Sequence, residues 1–254
     1  MANILILGAG SMGTAFSFPC SDNNHTVTIV GTHLENNFVE NINSKKKHPV
    51  LNCEIPTSVK FLKFEKLGEE INKKIDLIAV AVISKGIEWA SIELSKVLKS
   101  NIPILLLTKG LAINNNNYEV LAHKMERLIK QNGIKEVNIT AAGGPCLAKG
   151  LANKAHTSVV FANTNIKIAE QISRLVSTDY YHVFTSDDVI GVQICAAIKN
   201  IFSMAVGASQ GLCDSIESKE KNYLNTAAAL VQESIYEMII FVEKLKGKKE
   251  TVMG

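Results

Sequence analysis

The sequence NILILGAGSMGTA occupies residues 3–15 and joins a short apolar segment to a glycine-rich turn. Asn3–Leu7 has the composition of a buried β-strand, and the six residues after it match the pattern G-x-G-x-x-G. In this pattern Gly8 allows a tight turn, Gly10 lets the backbone approach a pyrophosphate, and Gly13 lets the following helix pack closely on the strand. Phosphate oxygens then accept hydrogen bonds from free N–H groups at the helix N-terminus. Because a second strand is expected about twenty residues later, the pattern predicts a dinucleotide-binding turn rather than an ordinary strand–helix connection.

The composition is typical of a soluble globular protein. The chain has 254 residues, of which 46% are hydrophobic and 20% charged, enough for one large domain or two smaller ones. A net charge of +3 is too small to indicate a nucleic-acid partner. We expect no signal peptide, because glycine interrupts the apolar start at Gly8, and no membrane span, because no apolar run is expected to reach the roughly 18–20 residues required. The five scattered cysteines form no C-x-x-C pair, so we expect reduced thiols in the cytoplasm and no metal site.

Strands and helices alternate along the first 186 residues. Apolar and β-branched runs predict strands at residues 3–7, 26–30, 75–83, 104–107, 137–142 and 157–161. A helix is expected directly after Gly10, and helical patterns also cover residues 34–42, 87–98, 118–129 and 166–175. Pro19 predicts that the first helix is short or kinked, because proline removes a hydrogen bond and clashes with the preceding turn. The alternation predicts an α/β fold with a doubly wound parallel sheet, whose ligands bind beyond the carboxyl ends of the strands.

The residues after the second strand bear on the choice of dinucleotide. A carboxylate at that strand end would hold the adenosine 2′-hydroxyl and favour NAD. The sequence there is Gly31-Thr32-His33, and no carboxylate occurs before Glu35. We therefore expect nothing at the strand end to repel a 2′-phosphate. Thr32 and His33 could hydrogen-bond such a phosphate or could be ordinary loop residues, so NAD and NADP both remain open.

The composition changes near residue 185. Residues 189–207 are apolar almost all round, which predicts a buried helix, and Lys199 is the single cation in it. A buried lysine is usually paired or functional, although a long side chain can also reach the surface. A polar loop at 211–222 and a second long helix at 223–246 follow. We therefore predict a dinucleotide-binding domain over residues 1–186 and a helical domain over 187–254.

The whole chain resembles the bacterial-type NAD(P)-dependent glycerol-3-phosphate dehydrogenases. The resemblance rests on six motifs, in this order: GAGSMGTA (8–15), TKG (108–110), GGPCLA (143–148), SDDVIGVQ (186–193), AIKN (197–200) and ETVMG (250–254). It implies a Rossmann-like sheet followed by an all-α substrate domain. It also implies reduction of dihydroxyacetone phosphate to sn-glycerol 3-phosphate with NADH or NADPH, a step that supplies glycerophospholipid synthesis.

The resemblance also assigns roles to individual residues. Together with the glycine turn, it gives as candidate cofactor-binding residues Gly8, Gly10, Ser11, Met12, Gly13, Thr32, His33, Lys109 and Ala148. The candidate substrate-binding residues are Lys109, Gly144, Cys146, Lys199 and Asn200. Lys109 and Lys199 are also the candidate catalytic residues, because a cation beside the ketone oxygen stabilises developing negative charge and can supply a proton. Asn200 could orient Lys199 or could pack against a neighbouring helix.

The chain departs from the family pattern in several places. It ends at Gly254, before the GLGD and (S/G)-R-N segments whose Arg-Asn pair binds the substrate phosphate in the family. Glu233 stands where the family usually has arginine, and Cys195-Ala196 where it usually has glycines. Cys146 replaces a hydroxyl side chain. We therefore expect an incomplete helical domain with an uncovered apolar face, which would favour association, a homodimer included.

Two other functions fit parts of this pattern. A related hydroxyacid dehydrogenase, such as a ketopantoate reductase, shares the layout, but the TKG and GGPCLA motifs argue against it. A protein that binds a dinucleotide without catalysis is favoured by the absence of the Arg-Asn segment. Retention of Lys109 and Lys199 argues against that alternative.

Overall fold

The computed structural model describes residues 1–99, 101–214 and 224–253. Its strands are β1 (Asn3–Leu7), β2 (Thr26–Val30), β3 (Lys47–His48), β4 (Cys53–Glu54), β5 (Val59–Leu62), β6 (Leu77–Val80), β7 (Ile104–Leu106), β8 (Leu111–Asn114), β9 (Asn117–Val120), β10 (Ile139–Gly143), β11 (Thr157–Ala162) and β12 (Tyr181–Ser186). Its helices are α1 (Ser11–Asp22), α2 (Asn36–Lys45), α3 (Leu67–Ile71), α4 (Ile87–Val97), α5 (Leu121–Gln131), α6 (Ala148–Ala152), α7 (Ile166–Val176), α8 (Val189–Asp214), α9 (Leu224–Lys244) and α10 (Glu250–Met253).

Eight strands form one sheet in the order β12-β11-β10-β7-β6-β1-β2-β5. Neighbouring strands run parallel, except for the antiparallel pair of β10 and β11. The near-continuous apolar runs follow from burial on both faces of this sheet. In β1, Ile4 and Ile6 belong to one hydrophobic cluster, whereas Leu5 and Leu7 belong to another on the opposite face. The predicted doubly wound α/β fold is confirmed.

Some predicted elements of the first part of the chain are wrong in detail. Helix α1 continues through Pro19 to Asp22 and is therefore not shortened. Pro19 lies in its last turn, where the lost hydrogen bond affects few residues. The helix expected from residue 118 instead begins at Leu121, because Asn117–Val120 pairs with β8 in a hairpin. The edge strands β5 and β12 have no predicted counterpart, since their short, partly polar sequences lack a buried run.

Helix α8 is only partly buried. Its first turns lie on the sheet, where a Cβ atom added to Gly143 would approach Val192 Cγ1 to 2.5 Å. From Asn200 onward much of its surface is exposed, including Ile201 and Met204. The predicted all-round burial is therefore wrong for the second half. Residues 211–214 of the predicted polar loop are helical, and the rest of that loop lies outside the described residues. The boundary at residue 186 stays a prediction.

One helix in the described part of the chain is long and apolar enough to cross a membrane by length and composition. It covers Val189–Leu212, has a mean hydropathy of 1.7 and is one-third buried. This corrects the expectation that no apolar run reaches that length. Near its N-terminal end, the buried side chains of Val189 and Val192 belong to the hydrophobic cluster that contains Leu5, and that of Ile194 belongs to another cluster. This is the packing of a core helix.

Candidate active site

The glycine-rich turn is formed by close backbone contacts. Gly8 has φ +112°, and a Cβ atom there would lie 2.8 Å from the carbonyl oxygen of Ala81. A Cβ atom on Gly13 would lie 2.1 Å from the carbonyl oxygen of Gly8, so only glycine lets α1 start this close to β1. At Gly10 the nearest atom to such a Cβ is Glu35 Oε1, at 3.7 Å. The space above Gly10 is therefore open to a ligand.

A cleft of about 550 Å³ lies over this turn. It brings together five of the candidate cofactor-binding residues: Gly10, Ser11, Met12, Thr32 and His33. They come from the loops and helix that follow β1 and β2, which run parallel and therefore end at the same edge of the sheet. This is where ligands of doubly wound sheets bind, and the cleft's volume suits a small organic ligand.

One wall of the cleft is aromatic, which the sequence analysis missed. The ring of His33 lies 4.7 Å from that of Trp89 on α4, and Phe64 lies 5.1 Å from Trp89. Trp89 lines the cleft, as does Lys85 in the turn before α4. Aromatic faces at this position can stack against a purine base. The signal in the sequence was the chain's single tryptophan, just after a predicted buried strand.

A carboxylate does lie at the end of β2, contrary to the expectation from sequence. Glu35 Oε2 accepts hydrogen bonds from the backbone N–H of Ala9, at 3.0 Å, and of Thr32, at 2.7 Å. The chain reverses here, because the N–H of Glu35 donates to the carbonyl oxygen of Thr32. This turn brings the side chain of Glu35, four positions after Gly31, back to the end of β2. The expectation that no carboxylate lies at the end of the second strand is therefore wrong.

His48 lies buried close to this carboxylate. Its Nδ1 accepts from the backbone N–H groups of Val50 and Leu51, so the ring proton must reside on Nε2. Nε2 is buried and has no hydrogen-bond partner among the described residues. Burial lowers the pKa of His48, while the Ala9 backbone and the Glu35 charge act in the opposite direction. The imidazole is therefore held neutral beneath the glycine turn.

The second group of candidate residues meets at one backbone carbonyl. Lys109 Nζ, after β7, and Lys199 Nζ, on α8, each donate to the carbonyl oxygen of Gly144 at 3.2 Å. Gly144 has φ +109°, and a Cβ there would crowd Val159 at 3.0 Å, so glycine is required. Burial, followed by the charge of Lys199, lowers the pKa of Lys109. Each ammonium has three N–H donors, which leaves donors free for an anionic or ketone oxygen.

Cys146 lies beside the two lysines. Burial raises the pKa of its thiol, and the charges of Lys109 and Lys199 oppose that rise. The thiol therefore stays protonated and contributes a small, weakly polar surface. Ala148 begins α6 and packs with Met12 against the core, near the glycine turn.

The remaining candidate, Asn200, is exposed and forms no hydrogen bond with Lys199 in the described structure. Of its two suggested roles, orientation of Lys199 is thus not seen. Glu233 is exposed on α9. Within the described ranges, no group of three or more His, Cys, Asp or Glu side chains is arranged to hold a metal ion.

Both groups of residues lie at the same edge of the sheet. Strands β1, β2, β6, β7 and β10 run parallel, so their carboxyl ends point in one direction. The glycine turn follows β1, Lys109 follows β7 and Gly144 follows β10. The arrangement can thus hold an extended ligand over the glycine turn and present two ammonium groups further along the edge.

Known proteins resemble this chain along nearly its whole length. The family profile described as NAD-dependent glycerol-3-phosphate dehydrogenase N-terminus matches residues 3–169, and the corresponding C-terminus profile matches residues 188–254. An NADP(+)-dependent glycerol-3-phosphate dehydrogenase of Archaeoglobus fulgidus is 29% identical over 99% of this chain and 72% of its own length. A glycerol-3-phosphate dehydrogenase [NAD(P)+] of Clostridium tetani is 29% identical over 99% of this chain and 67% of its own.

Solved structures agree with the sequence matches. Glycerol-3-phosphate dehydrogenase from Coxiella burnetii superposes with a TM-score of 0.81 at 26% identity, over 100% of this chain and 72% of that one. The yeast enzyme GPD1 superposes with a TM-score of 0.78 at 18% identity, over 98% and 73% respectively, and so supports the fold alone. The chain belongs to the NAD(P)-dependent glycerol-3-phosphate dehydrogenase family.

Proposed function

We propose that this protein reduces dihydroxyacetone phosphate to sn-glycerol 3-phosphate with NADH or NADPH, supplying glycerophospholipid synthesis in the cytoplasm. The observation that carries the proposal is the meeting of Lys109 and Lys199 at the Gly144 carbonyl. They do so at the same sheet edge as a glycine turn with space for a dinucleotide. Residues 1–186 would hold the dinucleotide, and residues 187–254 would contribute Lys199 from the other side.

The two lysines have complementary tasks in this reaction. A bound reduced nicotinamide supplies a hydride, with its electron pair, to the C2 carbonyl carbon of the ketone. Negative charge then grows on the carbonyl oxygen, and an ammonium aimed at that atom stabilises the transition state more than the ground state. Lys199 donates the proton that converts this oxygen into the hydroxyl of the product. Lys109 adds a second positive charge, which attracts the negatively charged substrate.

The Gly144 carbonyl positions both groups. It is a fixed acceptor for one N–H of each lysine, so the two nitrogens cannot turn away into solvent without losing a hydrogen bond. Holding catalytic groups in place before the substrate arrives lowers the entropy lost at the transition state. Gly144 thus acts through the lysines.

The test follows dinucleotide absorbance with purified protein, first with NADPH and then with NADH, on addition of dihydroxyacetone phosphate. Oxidation that requires the ketone supports the proposal and identifies the cofactor. Intact dinucleotide binding without oxidation would overturn the catalytic part and leave a dinucleotide-binding protein. 2-Ketopantoate serves as a control substrate, since turnover of it in place of the phosphate ester would indicate the related hydroxyacid dehydrogenases.

A further inference from the structure

We propose that Glu35 makes the cleft select a dinucleotide with a free adenosine 2′-hydroxyl, so that this chain prefers NADH to NADPH. The inference rests on the dinucleotide site proposed above. It goes beyond it, because relatives are named both as NADP(+)-dependent and as NAD(P)+ enzymes.

Two backbone hydrogen bonds fix the position of the Glu35 carboxylate. Glu35 Oε2 accepts one N–H from Ala9, inside the glycine turn, and one from Thr32, just beyond β2. Both donors are backbone groups, so they cannot rotate away as side chains do. The carboxylate therefore joins the glycine turn to the loop after the second strand and is in place before any ligand binds.

The other carboxylate oxygen of Glu35, Oε1, lies beside the glycine turn and is available to a ligand. Oε1 accepts no hydrogen bond in the part of the chain that the structure describes, and it lies 3.7 Å from the Cβ position of Gly10. Gly10 and Glu35 line the same cleft. An acceptor with unused lone pairs thus faces the space above the turn, at the strand end where adenosine ribose lies in doubly wound folds.

The negative charge of Glu35 distinguishes a ribose hydroxyl from a ribose phosphate. A carboxylate accepts a hydrogen bond from a hydroxyl group but repels a phosphate monoester, and the repulsion is strong where protein excludes water. Within the described ranges, Glu35 forms no salt bridge that would offset its charge. Thr32 is neutral, and His33 packs its ring against Trp89. Lys85 also lines the cleft, but within the described ranges it forms no ion pair with Glu35 and so does not neutralise that carboxylate.

Dissociation constants for NADH and NADPH, measured by nucleotide fluorescence without substrate, test this inference independently of turnover. We expect the wild-type protein to bind NADH at least about tenfold more tightly than NADPH, a factor of ten being about 1.4 kcal/mol. Glu35→Gln retains an oxygen for Ala9 and Thr32 but removes the charge. In this variant the dissociation constant for NADPH should exceed that for NADH by less than about threefold, mainly because NADPH binds more tightly than to the wild type. Glu40→Gln, at an exposed site on α2, the helix that follows Glu35, should keep the wild-type ratio.

Three results would overturn the inference. Equal binding or a preference for NADPH in the wild type would do so, even if the variant failed to fold. An unchanged ratio in Glu35→Gln would assign the selection to other residues. If the wild-type protein binds neither dinucleotide, the proposed dinucleotide site is refuted as well. If it binds both without preference, the site stands and only the selection is refuted.

Discussion

Lys109 and Lys199 bind the same atom, the carbonyl oxygen of Gly144, each through its ammonium nitrogen at 3.2 Å. Lys109 comes from the loop after β7, and Lys199 from the middle of α8, ninety positions later in the chain. Two positive charges that share one acceptor repel each other, and this repulsion adds to burial in lowering the pKa of Lys109. An anionic group between them would relieve the repulsion. The arrangement therefore favours a substrate that carries a phosphate, or one whose ketone oxygen gains negative charge during the reaction.

Replacing Lys199 should separate chemistry from cofactor binding. Lys199→Ala removes the proposed proton donor, and we expect turnover to fall by roughly 10²–10⁴-fold while the dissociation constant of the dinucleotide stays near the wild-type value. Steady-state kinetics and nucleotide fluorescence measure the two quantities. Lys149→Ala, at an exposed position on α6, is the matched control and should change neither. Equal loss of binding and turnover in Lys199→Ala would remove this lysine from the chemical step.

The lowered pKa of Lys109 predicts an unusual labelling profile. Because only the neutral amine reacts with an acylating reagent, Lys109 should reach half-maximal labelling at a lower pH than the lysine of an unstructured reference peptide. Lys199→Met removes one cause of the lowered pKa and should move the midpoint upward. Peptide mass spectrometry after brief acylation across a pH series measures both midpoints. Coincident midpoints for Lys109 in the wild type and the lysine of the reference peptide would contradict the effect of burial and charge on Lys109.

Sequence reasoning located the features that local chemistry determines. The β1–turn–α1 unit was predictable because its glycines have distinct steric reasons: Gly8 and Gly13 make close backbone contacts, and Gly10 leaves space for a ligand. The buried strands were predictable because both faces of the sheet are covered. The two lysines were assigned by resemblance to a family, and the structure brings them together at a carbonyl that no pattern in the sequence identifies.

Other features depend on contacts between distant residues and could not be predicted. Glu35 reaches the glycine turn only because the chain reverses after Thr32, which places a side chain beyond the strand end back at that end. Helix α8 has an all-round apolar sequence, yet burial depends on what covers it, and its second half is largely exposed.

A methyl group at Gly13 should disturb the start of α1. In Gly13→Ala the new Cβ would lie 2.1 Å from the Gly8 carbonyl oxygen, so the helix must move away from β1. We expect a loss of about 1–3 kcal/mol or more in the free energy of unfolding, together with weaker dinucleotide binding. Gly68→Ala is the control, since its Cβ would meet Val97 at an ordinary 3.7 Å in a helix. Denaturant titration of both variants measures the difference, and equal stability would contradict the proposed close packing.

His48 should make stability depend on pH on the acid side of neutrality. Its pKa in the folded protein is lowered by burial, so the unfolded chain binds the proton more readily. The contribution is complete above about pH 6.5 and is lost as the pH falls from there through the lowered folded value. His48→Asn keeps an acceptor for the N–H groups of Val50 and Leu51 but cannot titrate. Thermal melts at several pH values should show a smaller acid-side decrease in Tm for the variant than for the wild type, and identical decreases would refute the assignment.

The two adjacent aspartates at the start of α8 should differ sharply in their effect on stability. Asp188 is buried and accepts from the N–H of Gly191 at 2.8 Å, the N–H of Lys248 at 2.8 Å and Thr251 Oγ1 at 2.6 Å, which fastens α10 to α8. Asp187 is exposed and pairs only with the Lys248 ammonium in the described structure.

Asp188→Ala leaves these donors without an acceptor, so we expect the free energy of unfolding to fall by roughly 3 kcal/mol. Asp187→Ala removes a surface ion pair and should change it by less than about 1 kcal/mol. Hydrogen exchange should also show faster exchange in Glu250–Met253 for Asp188→Ala alone. Similar losses of stability in the two variants, or unchanged exchange in α10, would mean that other contacts hold this segment on α8.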